Sequence, residues 1–291
     1  MKYKGELLLI TSALLFAISS ILVKFTSKYF SGIFISLFRF IIGLILGYFF
    51  LKFNKIPIKI NDRKSWILRG IFGATGMITM YAGISLTSSG RATMLSNTYP
   101  VFVAFFGLLF FKEKISKISI LSLILCLTGA VFIFWDNSNY SKFGDFISLL
   151  SGISGGMAIN YLRKGVKLDN PAIIYLSTCI FGLILIPFTL NEWKNINFKN
   201  SLYLISIAIV AFIAQVMMTA GYKYVTATKG SIISYSGIPL TLILSHFIID
   251  EIFKQKFFIG IILISTGLIL TIYSDSIRIN LYKKTKKNSY R

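Results

Sequence analysis

Residues 90–135 read GRATMLSNTYPVFVAFFGLLFFKEKISKISILSLILCLTGAVFIFW, and residues 228–273 read TKGSIISYSGIPLTLILSHFIIDEIFKQKFFIGIILISTGLILTIY. A shift of 138 lays Gly83 on Gly221, Arg91 on Lys229, Glu113 on Glu251 and Gly129 on Gly267, while the prolines Pro100 and Pro239 miss by one position. One unit is therefore written twice, in diverged spelling. Each copy holds five apolar stretches. An odd number of membrane crossings turns the second copy upside down relative to the first, which makes the repeat an inverted one.

Composition sets the solvent. Of 291 residues, 55% are hydrophobic and only 14% charged, with a mean hydropathy of +0.74, too little polar surface to wrap a water-soluble core. A helix needs roughly 20 mostly apolar residues to cross the hydrocarbon. Ten such stretches stand out, at 6–24, 32–51, 66–86, 92–111, 117–135, 144–162, 171–190, 201–222, 230–250 and 256–274. They are continuously apolar, unlike the alternating strands of a membrane β-barrel. The expectation is an all-α membrane protein of ten transmembrane helices, arranged as two inverted five-helix repeats at 5–135 and 143–275 and followed by a basic tail at 276–291.

The net charge of +21 could suggest nucleic acid, but the basic residues lie between the apolar stretches and not along one amphipathic face. With both termini on one side, that side carries 21 Lys and Arg residues and the other only 8. By the positive-inside rule both termini lie in the cytoplasm. The lysine cluster of the tail then anchors topology and touches anionic lipid. The N-terminal apolar run exceeds the h-region of a secretory signal and lacks a small-x-small cleavage site, so it reads as a retained first helix. Localisation in the plasma (inner) membrane, with membrane lipid as a partner and no nucleic acid, follows from the same pattern.

No catalytic motif sits at a strand-to-helix junction, Cys126 and Cys179 lack metal-ligand spacing, and His246 has no carboxylate partner at helical spacing. An enzyme is not indicated, and neither a metal nor another cofactor is expected. The ten acidic residues all fall at the ends of the apolar stretches or in loops. Coupling to protons through a carboxylate inside the membrane therefore has no support.

A proline within the fourth stretch of each copy, a glutamate at its end and a glycine-bearing fifth stretch resemble the EamA family of the drug/metabolite transporter superfamily. The pattern is carried by Pro100, Glu113 and Gly129, and again by Pro239, Glu251, Gly260 and Gly267. Arg39, in ISLFRFIIGLILG, is similar to an arginine often present in the second span of that family. The resemblance covers about residues 5–275. It implies a ten-helix transporter with a central pocket between its halves, moving a small metabolite such as an amino acid, a nucleoside or a drug by alternating access. It leaves the cargo open. A non-transporting scaffold or receptor-like protein is the alternative, and the oligomeric state is a monomer or a homodimer.

A pocket at mid-membrane must draw on polar groups deep in the apolar stretches, since burying such groups in lipid is costly unless a cavity or a helix contact uses them. The candidates for substrate contact are Asn97, Ser96 and Tyr99 in the fourth stretch and Tyr81 in the third. Asn160 in the sixth, Gln215 in the eighth, and Ser234, Tyr235 and Ser236 in the ninth join them. Under the shift of 138 Asn97 falls on Tyr235, so equivalent places in both halves are polar. Helix-to-helix hydrogen bonding explains any one of these residues equally well. Arg39 either grips an anionic group or snorkels toward the outer interface. Glu113 and Glu251 read as interfacial carboxylates that cap or pair, with a gating ion pair as the sharper reading.

Overall fold

A computed structural model of the chain describes residues 3–86, 89–134, 141–249 and 258–273. Glu251, the second-half glutamate of the repeated motif, lies outside them, as does the tail. All regular structure among the described residues is helical: α1 (Lys4–Thr26), α2 (Gly32–Phe53), α3 (Arg63–Leu86), α4 (Ser89–Ser96), α5 (Tyr99–Phe111), α6 (Lys117–Phe134), α7 (Lys142–Gly165), α8 (Pro171–Gly182), α9 (Phe198–Gly221), α10 (Ala227–Ser234), α11 (Gly237–Ile249) and α12 (Phe258–Tyr273), with two short 3₁₀ stretches after α8.

The helix starts are written in the sequence. Ser31 accepts a hydrogen bond from Phe34 N, Ser141 from Gly144 N, Asn170 from Ala172 N and Thr226 from Lys229 N, each satisfying an amide that the first helical turn leaves free. Asn197 and Asn200 cap α9 reciprocally.

Six segments are long and apolar enough to cross a membrane: Lys4–Thr26, Gly32–Phe53, Ala92–Phe111, Pro171–Phe188, Phe198–Gly221 and Ala227–Ile248. α6 and α12 are apolar but shorter. α3 and α7 are long enough but more polar, and the reason is their packing. They lie on each other along their length, through glycine and serine. Ser151 Oγ donates to Gly76 O at 2.8 Å, and a Cβ on Gly83 would strike the Ser148 hydroxyl. Small residues that let backbones close up on a neighbouring helix are hydrophobically weak.

Contacts are exchanged between the halves in a reciprocal way. The first half's α1 packs on the second half's α9, while the second half's α7 packs on the first half's α3, and α7 and α9 are α1 and α3 carried forward by the repeat. α6 and α12 make this explicit. A Cβ on Gly129 would meet Gly260 O at 2.6 Å, and one on Gly267 would meet Ser122 O at 2.8 Å. Gly267 is Gly129 shifted by 138, and Gly260 is Ser122 shifted by the same amount. At the centre of this contact the Cys126 thiol lies 3.7 Å from Ile264 O, a residue against its own counterpart. Contacts in which i meets j' and j meets i' are those of an isologous, twofold interface.

The two ends of the bundle carry matching clasps. At one, Ser31 N and Oγ donate to Glu192 Oε2 and Oε1 at 2.7 and 2.6 Å. At the other, Asp169, which is Ser31 shifted by 138, accepts from Asn61 N, Asn61 Nδ2 and Asp62 N at 2.7, 2.9 and 3.1 Å. Each clasp ties the loop entering α2 or α8 to a loop of the other half.

Candidate functional site

The proline of the fourth stretch does more than bend a helix. Pro100 has no amide proton and stands in the first turn of α5, so the helix stops at Ser96 and restarts at Tyr99. Val101 N bonds to Thr98 O at 2.9 Å in place of the helical partner four residues back, which releases the carbonyl of Asn97. Tyr235 Oη donates to that carbonyl at 2.6 Å. Tyr235 itself stands at the matching break, between α10 and α11, where Tyr235 N bonds to Ile232 O and Ile238 N to Tyr235 O. Two broken helices thus face each other at their breaks, and the Tyr235 side chain is committed to joining them.

The other expected contacts, apart from Arg39 and Gln215, fall into three groups. Ser96, Tyr99 and Ser234 gather around this junction: Ser96 Oγ lies 3.4 Å from Ser148 O, Ser234 Oγ donates to Gly230 O at 3.0 Å, and the Tyr99 hydroxyl stands beside Ser234. Ser236 is buried there with a hydroxyl that has no partner. Asn160 donates from Nδ2 to Val103 O and Gly156 O at 3.0 Å each, tying α7 to α5. Tyr81 lies apart, its ring against Gly32 at the start of α2.

A cleft of about 540 Å³ opens at one end of the bundle. Asn160 lines it together with Phe110, Glu113, Tyr161, Thr226, Ala227 and five basic residues, Lys64, Lys112, Arg163, Lys164 and Lys167. Every one of those cations belongs to a loop or helix end that the charge count assigns to the basic side. Glu113 acts as a cap here: Oε1 accepts from Thr228 N at 3.0 Å, in the first turn of α10. At the rim, Asp62 takes hydrogen bonds from Ser65 N and Oγ at 3.0 and 2.6 Å, with Lys164 Nζ 3.9 Å away. Partial burial works against its charge, but the Ser65 bonds and the lysines outweigh it and hold the carboxyl below its ordinary value.

Deeper in lies a polar group of which the sequence reading named only Arg39 and Gln215 as candidate contacts. Arg39 on α2 and Arg69 on α3 are 8% and 6% exposed. They lie within electrostatic reach of each other and of Tyr175 and Cys179 on α8. Thr178 joins them: a Cβ on Gly73 would meet Arg69 Nη1 at 2.7 Å and Thr178 Oγ1 at 2.9 Å. A Cβ on Gly43 would meet Tyr175 Oη at 2.5 Å, so two glycines make the room these side chains occupy. Tyr222 stands between this group and the cleft, within reach of both Arg69 and Glu113. Gln215, two turns before it on the same face of α9, is buried with an amide nitrogen that lacks a partner. The usable signal for Arg69 was its charge inside an apolar stretch. Tyr175, Thr178 and Tyr222 carried none, because tyrosine and threonine are common in membrane helices.

Comparison with known proteins gives a consistent picture. The model of the EamA-like transporter family matches residues 3–135 and again 142–273. The pseudopaline exporter CntI of Pseudomonas aeruginosa is 24% identical over 246 residues, 80% of this chain and 84% of the exporter. Solute carrier family 35 member G1 of Mus musculus is 26% identical over 262 residues, covering 84% and 71% of the two chains. An S-adenosylmethionine uptake transporter of Rickettsia bellii is 22% identical over 244 residues, covering 83% and 84%. A crystal structure superposes with a TM-score of 0.76 at 14% identity, over 91% of this chain and 95% of the other, which establishes a shared fold.

Proposed function

The chain belongs to the EamA-like transporter family, a family of membrane transporters, and from that premise we propose how it carries its cargo. Two inverted five-helix halves, residues 5–135 and 143–275, cross the plasma membrane ten times with both termini in the cytoplasm. They bind a small metabolite between them near mid-membrane and expose it to one side and then the other. The short α6 and α12, which carry exposed apolar side chains such as Ile124 and Ile262, and the polar α3 and α7 complete the ten crossings.

The observation that carries this reading is the pair of facing helix breaks. Discontinuous helices at matching places in two halves are where transporters of inverted-repeat architecture place their cargo. Here Pro100 and Pro239 start the second segment of each broken helix, and Tyr235 joins the two breaks through the Asn97 carbonyl. The cleft with five cations at its mouth is then the cytoplasmic entrance, and Asn160, Tyr99 and Ser234 stand along the way in. The clasps at Glu192 and Asp169 are the ties that open in turn as the halves rock.

No carboxylate lies at the middle of an apolar stretch, so the cargo moves down its own gradient, outward or in exchange. Among the relatives, one is named an exporter and another an uptake transporter, as a single rocking frame running in either direction allows. Purified protein in sealed vesicles, loaded with a soluble metabolite extract, tests this: protein-dependent, saturable efflux with counterflow is expected. Vesicles that retain every metabolite as well as protein-free controls do would end the proposal. Uphill accumulation driven by an imposed pH gradient alone would overturn the uncoupled mode.

A further inference from the structure

Among the described residues, the interior holds two arginines with no carboxylate against them. Each arginine is at least nine-tenths buried as a residue, and the Nε of Arg39 and of Arg69 makes no hydrogen bond. Arg39 has one favourable neighbour of another kind, the ring of Phe16 at 5.4 Å. The chain has only ten carboxylate side chains, none in 63–112, 146–168, 170–191 or 193–249, and two of the described ones are engaged elsewhere. Glu6 holds Lys229 at 2.7 Å and Glu113 caps α10 at 3.0 Å. Beside the arginines, Thr178 Oγ1 is a buried hydroxyl without a partner, and the buried Tyr175 hydroxyl stands against Arg39 and Cys179.

A folded chain rarely leaves one buried cation uncompensated, because removing charge from water is costly unless a partner repays it. Two within electrostatic reach of each other, with the Tyr175 and Thr178 hydroxyls beside them, describe a site built for a partner that arrives from outside. We propose that Arg39, Arg69, Tyr175 and Thr178 form the binding group for an anionic cargo, gripping a carboxylate or phosphate group of a small organic acid. The planar guanidinium supplies paired N–H donors that match either anion, and the hydroxyls complete its shell. Its approach is consistent with this chemistry. The five cations at the cleft raise the local concentration of anions at the mouth, and Tyr222 stands between the cleft and Arg69.

This inference deepens the transport reading and rests on it for the word cargo, but the binding itself is testable alone. Protein in a neutral maltoside detergent, stripped of phospholipid, is heated with succinate, with inorganic phosphate or with chloride at equal ionic strength. A rise in unfolding temperature with succinate or phosphate and not with chloride is expected, as for any ligand that binds only the folded state. In Arg39→Gln or Arg69→Gln the anion-dependent rise disappears.

A second measurement separates a waiting site from a scaffold. Arg39→Met and Arg69→Met remove an uncompensated charge while keeping bulk, so without anion each variant unfolds a few degrees above the native chain, by about 2–4 °C for a stability gain of ordinary size. Variants that unfold at lower temperature without anion would mark both arginines as structural and overturn the proposal. So would stabilisation by added phosphatidylglycerol but by neither soluble anion, since the site would then hold a lipid headgroup. Anion binding without flux in vesicles would strike the transport reading and leave this one standing. Flux of solutes that Arg69→Met leaves unchanged would do the reverse.

Discussion

The seam between the halves and the polar interior obey opposite rules. At the seam, residues meet their own counterparts: Cys126 lies against Ile264, Asn97 against Tyr235, and Gly129 and Gly267 play the same part on either side. In the interior the shift of 138 pairs unlike residues. Arg39 falls on Ser177, Arg69 on Ile207, Tyr175 on Leu37, Thr178 on Phe40, Gln215 on Met77 and Tyr222 on Ile84. Polar groups that the first half contributes face apolar or small counterparts, and the reverse holds for the second. At the seam the matching positions meet across the twofold even where their side chains differ, whereas the interior polar groups have small or apolar counterparts, as the proposed anion site requires. A cargo has no twofold symmetry of its own, so a symmetric pocket would waste half of its donors.

This contrast can be broken in several ways. The largest effect is expected for a tie between the halves. Lys229→Met leaves Glu6 as a buried charge without its partner, both side chains being 9% exposed, and costs about 3–5 kcal/mol, most of which Glu6→Met added in the same chain restores. Chemical denaturation of the single and double variants measures it. A double variant no more stable than the single one would mean that the pair is not what holds α1 to α10.

Next comes the interior. Arg69→Gln lowers the rate of cargo efflux in vesicles by roughly 30-fold or more, the equivalent of about 2–5 kcal/mol for truncating a buried charge contact. Placing a leucine at Tyr175, the residue its counterpart carries, weakens it in the same direction. The seam should respond evenly instead: Gly129→Val and Gly267→Val each overpack a backbone contact, cost about 1–3 kcal/mol and lower the unfolding temperature by the same amount. Unequal losses would show that the reciprocity is superficial.

Tyr235→Phe removes a donor from the freed Asn97 carbonyl and costs about 1–3 kcal/mol, whereas Asn97→Ala keeps that carbonyl and is milder. The smallest effect lies at the rim. Asp62 is held below its ordinary value in the folded chain, so its stabilising share is present above the unfolded value of about 3.9 and is lost as pH falls through the lower folded value. Unfolding temperature recorded from pH 6 downward therefore drops less steeply for Asp62→Asn than for the native chain.

Much of the frame was legible beforehand because it depends on local physics. Apolar length gives membrane helices, Ser31, Ser141, Asn170 and Thr226 give their starts, and the shift of 138 gives the repeat. The site was legible in part. Asn97 and Tyr235 were singled out through their equivalence, and the structure joins them to each other through the Asn97 carbonyl and not its amide, a carbonyl left free because Val101 N bonds to Thr98 O. Glu113 was expected to cap or pair, and it caps a helix of the other half, 115 residues away.

The sequence by itself determined that this chain lives in lipid, that it is one unit used twice, and which family it belongs to, since hydrophobic length and periodicity are read residue by residue. Only the tertiary structure decided that Arg39 and Arg69 lie within reach of each other and of Tyr175 and Thr178 while Glu6 and Glu113 are engaged elsewhere. Which charges meet depends on how helices cross, and crossing is fixed by glycine contacts between segments over a hundred residues apart, a quantity no local stretch of sequence encodes.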